Sequence, residues 1–96
     1  MNQLHLSERH YVYLACCANG TLYVGCTKDV EGRIVAHNAG HGGRYTRSNR
    51  PLSLVATWSF NSKTEALRAE RVLKRLSPEK KLRMAAAVIS LGGVGE

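Results

Sequence analysis

The apolar positions of the chain change period twice. From His10 to Cys17 and from Thr21 to Cys26 they form short strand-like runs, HYVYLACC and TLYVGC, separated by Ala18, Asn19 and Gly20. Asn-Gly between two such runs is a strong hairpin signal, because both residues tolerate the positive φ that tight turns demand. Two registers are compatible with it. A two-residue turn at Asn19-Gly20 sets Tyr13 opposite Cys26 and leaves Tyr13 and Tyr23 on opposite faces of the sheet. A three-residue loop, with Gly20 as a left-handed bulge residue, sets Ala15 opposite Tyr23 and Tyr13 opposite Gly25, so that both tyrosines share a face.

A helix follows, capped by Thr27 or Asp29 and ended by Gly40. It carries Arg33 and His37 four residues apart and therefore on one side. Gly32 inside it costs about 1 kcal/mol relative to Ala, so that helix needs tertiary support or a close neighbour. GHGGRYTRSNRP, from Gly40 to Pro51, reads as a loop by its glycines and proline. The period then returns to two in LSLVATWSF, residues 52–60, with Leu52, Leu54, Ala56, Trp58 and Phe60 on one face of a third strand. Ser62 and Glu65 make a capping box for a helix to about Leu76. Ser77-Pro78 starts another helix, which Gly92-Gly93 ends. Residues 1–9 show no period and read as a frayed arm. On the helix after the third strand, Ala66, Ala69, Leu73 and Leu76 form the burying stripe, opposite Arg68, Arg71 and Arg75. Glu70 falls on the flank of that stripe, where a carboxylate must be paired, protonated or bound to a cation. A salt bridge to a nearby arginine would account for it without any function.

Ninety-six residues make one domain, 1–96, with a core at about 10–91. No run is long enough to span a membrane, and the amino terminus lacks the basic-then-apolar layout of a signal peptide, so a soluble cytoplasmic protein is expected. Three cysteines without extracellular context point to reduced thiols. Cys16, Cys17 and Cys26 with a nearby His as a zinc or thiol site is a further reading. Against it, adjacent Cys16 and Cys17 point to opposite sheet faces and no usual ligand spacing is present. The net charge of +7 is unevenly placed. No Asp or Glu occurs from Gly32 to Thr64, a window that holds Arg33, Arg44, Arg47, Arg50 and Lys63 with His37 and His41. Such an excess is the footprint of a phosphate-binding surface, although a solvated basic face has the same composition. In the loop, Arg44, Arg47 and Arg50 suit phosphates and Tyr45 suits a sugar or base. The other reading of the loop has Tyr45 folded back on the core.

Taken together, these residues resemble the GIY-YIG nucleases. Tyr11-Val12-Tyr13 stands where that family has Gly-Ile-Tyr, and Tyr23-Val24-Gly25, ten residues on, where it has Tyr-Ile-Gly. Arg33 and His37 match the Arg-x-x-x-His of the following helix, and Glu70 matches the lone glutamate of a later one. The resemblance covers about residues 10–76. It implies an α+β fold, a small three-stranded antiparallel sheet flanked by helices in the order β-β-α-β-α-α. It also implies a metal-dependent endonuclease hydrolysing phosphodiester bonds with one Mg²⁺ (or Mn²⁺), DNA ahead of RNA and structured or branched DNA included. In that mechanism Glu70 holds the metal, Arg33 binds the phosphate, Tyr13 and Tyr23 position and deprotonate the attacking water, and His37 assists; one site for both tyrosines requires the three-residue loop, and Arg33, His37 and Glu70 then converge on that same face from their two helices. Lys28 joins Arg44, Tyr45, Arg47 and Arg50 as nucleic-acid-binding candidates. The chain departs from the pattern at Tyr11, in place of the first glycine, and at Cys26, where many members carry lysine; Lys28 lies two positions on. It is most similar to the small standalone bacterial members, which share the Tyr45-Thr46-Arg47 ending of the loop and for which a protein partner in substrate selection is a candidate. The alternative is a catalytically weak nucleic-acid-binding module that keeps the fold.

Overall fold

The hairpin takes the three-residue loop. In the computed structural model, which describes the backbone of residues 9–95 and the side chains of residues 9–87, β1 (His10–Cys16) pairs antiparallel with β2 (Leu22–Thr27). Ala15 lies opposite Tyr23 and Tyr13 opposite Gly25. Gly20 adopts φ 90°, Cys17 N–H bonds Thr21 O at 2.8 Å, and Gly20 N–H bonds Cys17 O at 2.9 Å. The arm expected at the amino terminus lies outside the described residues, apart from Arg9.

β3 (Ser53–Phe60) pairs antiparallel with the other side of β1, giving the order β2-β1-β3. Its register shifts between Leu14, opposite Ala56, and Ala15, opposite Leu54. Val55 is thus an extra residue, a bulge that re-aims every side chain before it. This corrects the single apolar face expected for residues 52–60. Leu52 packs with Tyr13, Ala15 and Cys17 on one face, whereas Val55, Ala56, Trp58 and Phe60 pack with Val12 and Leu14 on the other.

Two layers of helix cover the two faces. Asp29 caps α1 (Val30–Ala36) by accepting the Gly32 N–H at 3.0 Å, and Thr27 Oγ1 accepts from Asp29 N–H at 3.1 Å, so both expected capping residues take part. A Cβ on Gly32 would collide with the Asp29 carboxylate, which is the close neighbour that this helix glycine implied. The regular α-helix ends at Ala36, and a wider π-type turn, His37–His41, carries the chain on to Gly40, whose non-helical φ of 95° makes the kink there, as expected of a helix-ending glycine. The segment expected to be a loop contains a short helix, α2 (Arg44–Ser48). α1 covers the Tyr13 face through Val30 and Ile34. The opposite face is covered by α3 (Lys63–Arg75), capped by Ser62, and α4 (Pro78–Gly95), through Ala66, Leu73 and Ala85. α4 runs past Gly92-Gly93 instead of ending there. The α+β class and the order β-β-α-β-α-α hold, with α2 added between α1 and β3.

Candidate active site

Tyr13 is the centre of the site and is wholly buried. Its ring lies over Gly25: a Cβ there would sit 2.5 Å from Tyr13 Cζ and closer still to the hydroxyl, so only glycine leaves this path open. Tyr23 reaches the same face through the bulged register. Its ring centroid is 6.2 Å from that of Tyr13 and 5.4 Å from that of His37, edge-on to the imidazole at 71°. His37, at the start of the π-type turn, is also buried. Its Nε2 is 3.4 Å from the Tyr13 hydroxyl and its Nδ1 is 3.0 Å from Thr46 Oγ1. Thr46 Oγ1 is in turn 3.2 Å from the Gly43 carbonyl oxygen. A Cβ on Gly42 would strike His37 Nδ1, so the glycines of this segment allow α2 to close against the imidazole.

Burial sets the protonation states. It pushes the Tyr13 pKa up to about 12, helped by the neighbouring Tyr23 hydroxyl and opposed by Arg33 as charge and as hydrogen-bond donor. Burial also lowers the His37 pKa, and the positive charge of Arg33 adds to the effect. Around neutral pH the cluster therefore holds a protonated tyrosine beside a neutral imidazole.

Glu70 approaches from the other side. Its helix, α3, packs on the Val12 and Leu14 face, so Arg33, His37 and Glu70 do not converge on one face as the sequence suggested. Glu70 and Arg33 meet instead at the open edge of the sheet, where both line a cavity of about 410 Å³ with His10, Cys26, Thr27, Lys28, Lys63 and Leu67. The Glu70 side chain is 17% exposed and pairs with Lys74, one turn on, at 3.3 Å. That partner is a lysine of its own helix and not the expected arginine. The cavity is nevertheless electrostatically joined to the tyrosines, since the Glu70 charge contributes to raising the Tyr13 pKa. Among the described residues no three His, Cys, Asp or Glu side chains gather as a metal-holding group, and all three cysteines are free thiols. Glu70 is thus the one carboxylate among the residues lining this cavity. Cys26 has its thiol pKa pushed up by burial first and by Glu70 second, the opposite of what a reactive thiolate needs.

The basic loop borders the cluster. Arg44, Arg47 and Arg50 are exposed. Tyr45 is 49% exposed and not folded into the core, and its hydroxyl accepts from Asn19 Nδ2 at 3.0 Å and donates to Thr21 Oγ1 at 2.9 Å, tying α2 to the hairpin. Asn38 Nδ2 donates to Leu52 O at 3.1 Å and Asn38 Oδ1 accepts from Leu52 N–H at 2.7 Å, fixing the π-type turn to the start of β3. Thr46 and Asn38 are the site-building residues that pattern alone missed. Only the surplus of hydrogen-bonding side chains in an apparently irregular segment hinted at them.

The GIY-YIG catalytic domain family matches residues 9–83. The chain belongs to the GIY-YIG family. Within this nuclease family its relatives are small single-domain proteins. It is 44% identical to a UPF0213 protein of Staphylococcus saprophyticus over 80% of this chain and 94% of that one. To a UPF0213 protein of Natronomonas pharaonis it is 48% identical over 84% of this chain and 95% of that one. The solution NMR structure of a UPF0213 protein from Bacillus halodurans is similar at 47% identity and a TM-score of 0.54, over 82% of this chain and 84% of that one. A solution NMR structure from E. faecalis is similar at 33% identity and a TM-score of 0.59, over the same shares. GIY-YIG nucleases act on nucleic acid and generally use divalent metals. No helix of the described residues is long and apolar enough to cross a membrane.

Proposed function

We propose that this GIY-YIG protein is a metal-dependent endonuclease that hydrolyses phosphodiester bonds, DNA ahead of RNA, with Tyr13, Tyr23, Arg33, His37 and Glu70 as its working residues. The observation that carries this reading is the packing of Tyr13, Tyr23 and His37 over Gly25, beside a cavity that Arg33 and Glu70 both line. Glu70 would hold the ion, Mg²⁺ (or Mn²⁺), because one carboxylate with water filling the remaining positions suits a hard cation, and the cavity has room for both. When bound, the ion supplies Lewis acidity, making water easier to deprotonate and offsetting charge on the phosphate.

The chain's own groups do the rest. Arg33, exposed at the cavity, offers a guanidinium fork to the phosphate oxygens. Tyr13, with a pKa near 12, is not ionised at neutral pH and is a base only if its own proton leaves as the water's proton arrives. Neutral His37 Nε2 is the acceptor within reach. The water oxygen bonds to phosphorus as the bond from phosphorus to the departing ester oxygen breaks, the water's proton goes to Tyr13 once substrate has opened a path to that buried hydroxyl, the Tyr13 proton goes to His37, and the departing ester oxygen is protonated from solvent. Tyr23 holds the water in line. Lys28, Arg44, Arg47 and Arg50, with the exposed ring of Tyr45, carry the flanking backbone.

A catalytically weak nucleic-acid-binding module is the second reading, favoured by the Glu70–Lys74 pair, which accounts for the carboxylate without a metal. Incubation with Mg²⁺ or Mn²⁺ and single-stranded, duplex and branched DNA and RNA tests both. Metal-dependent cleavage of at least one substrate is expected. Binding without cleavage on every substrate would replace the nuclease reading with the module.

A further inference from the structure

We propose that Thr46 is a positioning residue that fixes which nitrogen of His37 carries the proton, and so makes Nε2 the acceptor for Tyr13. This deepens the nuclease reading and rests on it. Thr46 is 1% exposed and has one hydroxyl proton to donate. The Gly43 carbonyl, 3.2 Å away, can only accept, so a hydrogen bond there uses that proton. The 3.0 Å contact from Thr46 Oγ1 to His37 Nδ1 is then a hydrogen bond only if Nδ1 carries hydrogen and donates. In the reverse arrangement Thr46 donates to Nδ1, and its oxygen faces the Gly43 carbonyl oxygen, which also accepts from Arg47 N–H at 2.9 Å, across 3.2 Å with no proton between the two oxygens. With Nδ1 protonated, the lone pair of the neutral ring lies on Nε2, 3.4 Å from the Tyr13 hydroxyl. The order is Tyr13 to His37 to Thr46 to Gly43, every donor having an acceptor. Gly42 completes the device, because any Cβ there would push against His37 Nδ1 and Thr46 Oγ1.

The test is the ring ¹⁵N spectrum of His37 in the full chain, together with cleavage kinetics, for wild type, Thr46→Val and Thr46→Ser. Wild type and Thr46→Ser should show the Nδ1–H tautomer. Thr46→Val, equal in shape but without the acceptor, should shift His37 toward Nε2–H and lower kcat by about 10–100-fold, the loss typical when the outer hydrogen-bond partner of a metal-ligating histidine is removed, with little change in KM. Wild type in the Nε2–H form, or Thr46→Val with an unchanged tautomer, overturns the assignment. If Thr46→Val does not fold, the wild-type and Thr46→Ser spectra still decide it. If wild type cleaves nothing while the tautomer responds as stated, the nuclease reading fails and the positioning of His37 by Thr46 stands.

Discussion

Tyr13 is held by what its neighbours lack. Gly25 has no Cβ to block the phenol, so Gly25→Ala should force the ring aside, abolish cleavage and destabilise the fold by about 1–3 kcal/mol, the usual cost of overpacking a core. Urea denaturation beside an activity assay checks this, and an active Gly25→Ala protein of unchanged stability would contradict it. Arg33 is exposed and fills no core, so Arg33→Ala should lose cleavage while its unfolding midpoint stays put. The two buried titrating groups give the fold a pH window. The folded His37 pKa lies below its unfolded value, so the unfolded chain binds the extra proton and stability falls as pH drops below about 6.5. The folded Tyr13 pKa lies above its unfolded value near 10, so the unfolded chain loses its proton first. Stability therefore also falls as pH rises from about 10 toward 12, by an amount on the order of 2–3 kcal/mol. Denaturation from pH 5 to 11 should show a plateau between these limits, and His37→Gln should flatten its acid side. An acid limb unchanged in His37→Gln would assign that limb elsewhere.

The elements differ in how plainly the chain announces them. The hairpin was legible down to register, because Asn19-Gly20 left two alternatives and only one of them puts Tyr13 and Tyr23 on one face. β3 was legible as a strand but not in its facing: LSLVATWSF alternates without interruption, and the bulge at Val55, which leaves Leu52 on one face and Ala56, Trp58 and Phe60 on the other, is recorded by no local pattern. The placement of Glu70 was misread for a related reason. Helical periodicity put it beside a burying stripe but could not say which face of the sheet that stripe covers. α2 was hidden by the glycines, serine and proline around it, and the bonds that tie it to the hairpin, from Tyr45 to Asn19 and Thr21, join residues distant in sequence that local propensity does not see. A second such tie nearby is Asn38, whose amide satisfies both backbone groups of Leu52. Asn38→Ala should cost about 1–3 kcal/mol by leaving part-buried backbone groups unpaired. A loss below about 0.5 kcal/mol in chemical denaturation would show that water replaces the amide and that the clamp does not hold the turn.

Across the whole molecule, the acid-free stretch from Gly32 to Thr64 wraps from α1 through α2 to β3 and carries the exposed arginines past the site. Binding to nucleic acid should therefore weaken steeply between about 50 and 200 mM salt, with a shallower slope after charge reversal at Arg44 and Arg47. An affinity indifferent to salt would contradict a phosphate-tracking surface. Family membership and fold are shared with relatives that match most of their own length, so what distinguishes the two functional readings is whether this site reacts or only binds. The most direct measurement follows cleavage and binding of one nucleic acid in parallel, with Mg²⁺ or Mn²⁺ present, for wild type and Glu70→Ala. Wild type should cleave in a metal-dependent way and Glu70→Ala should lose cleavage, with binding retained in both. Cleavage that survives Glu70→Ala undiminished would contradict the assignment of the metal to Glu70 and the mechanism built on it.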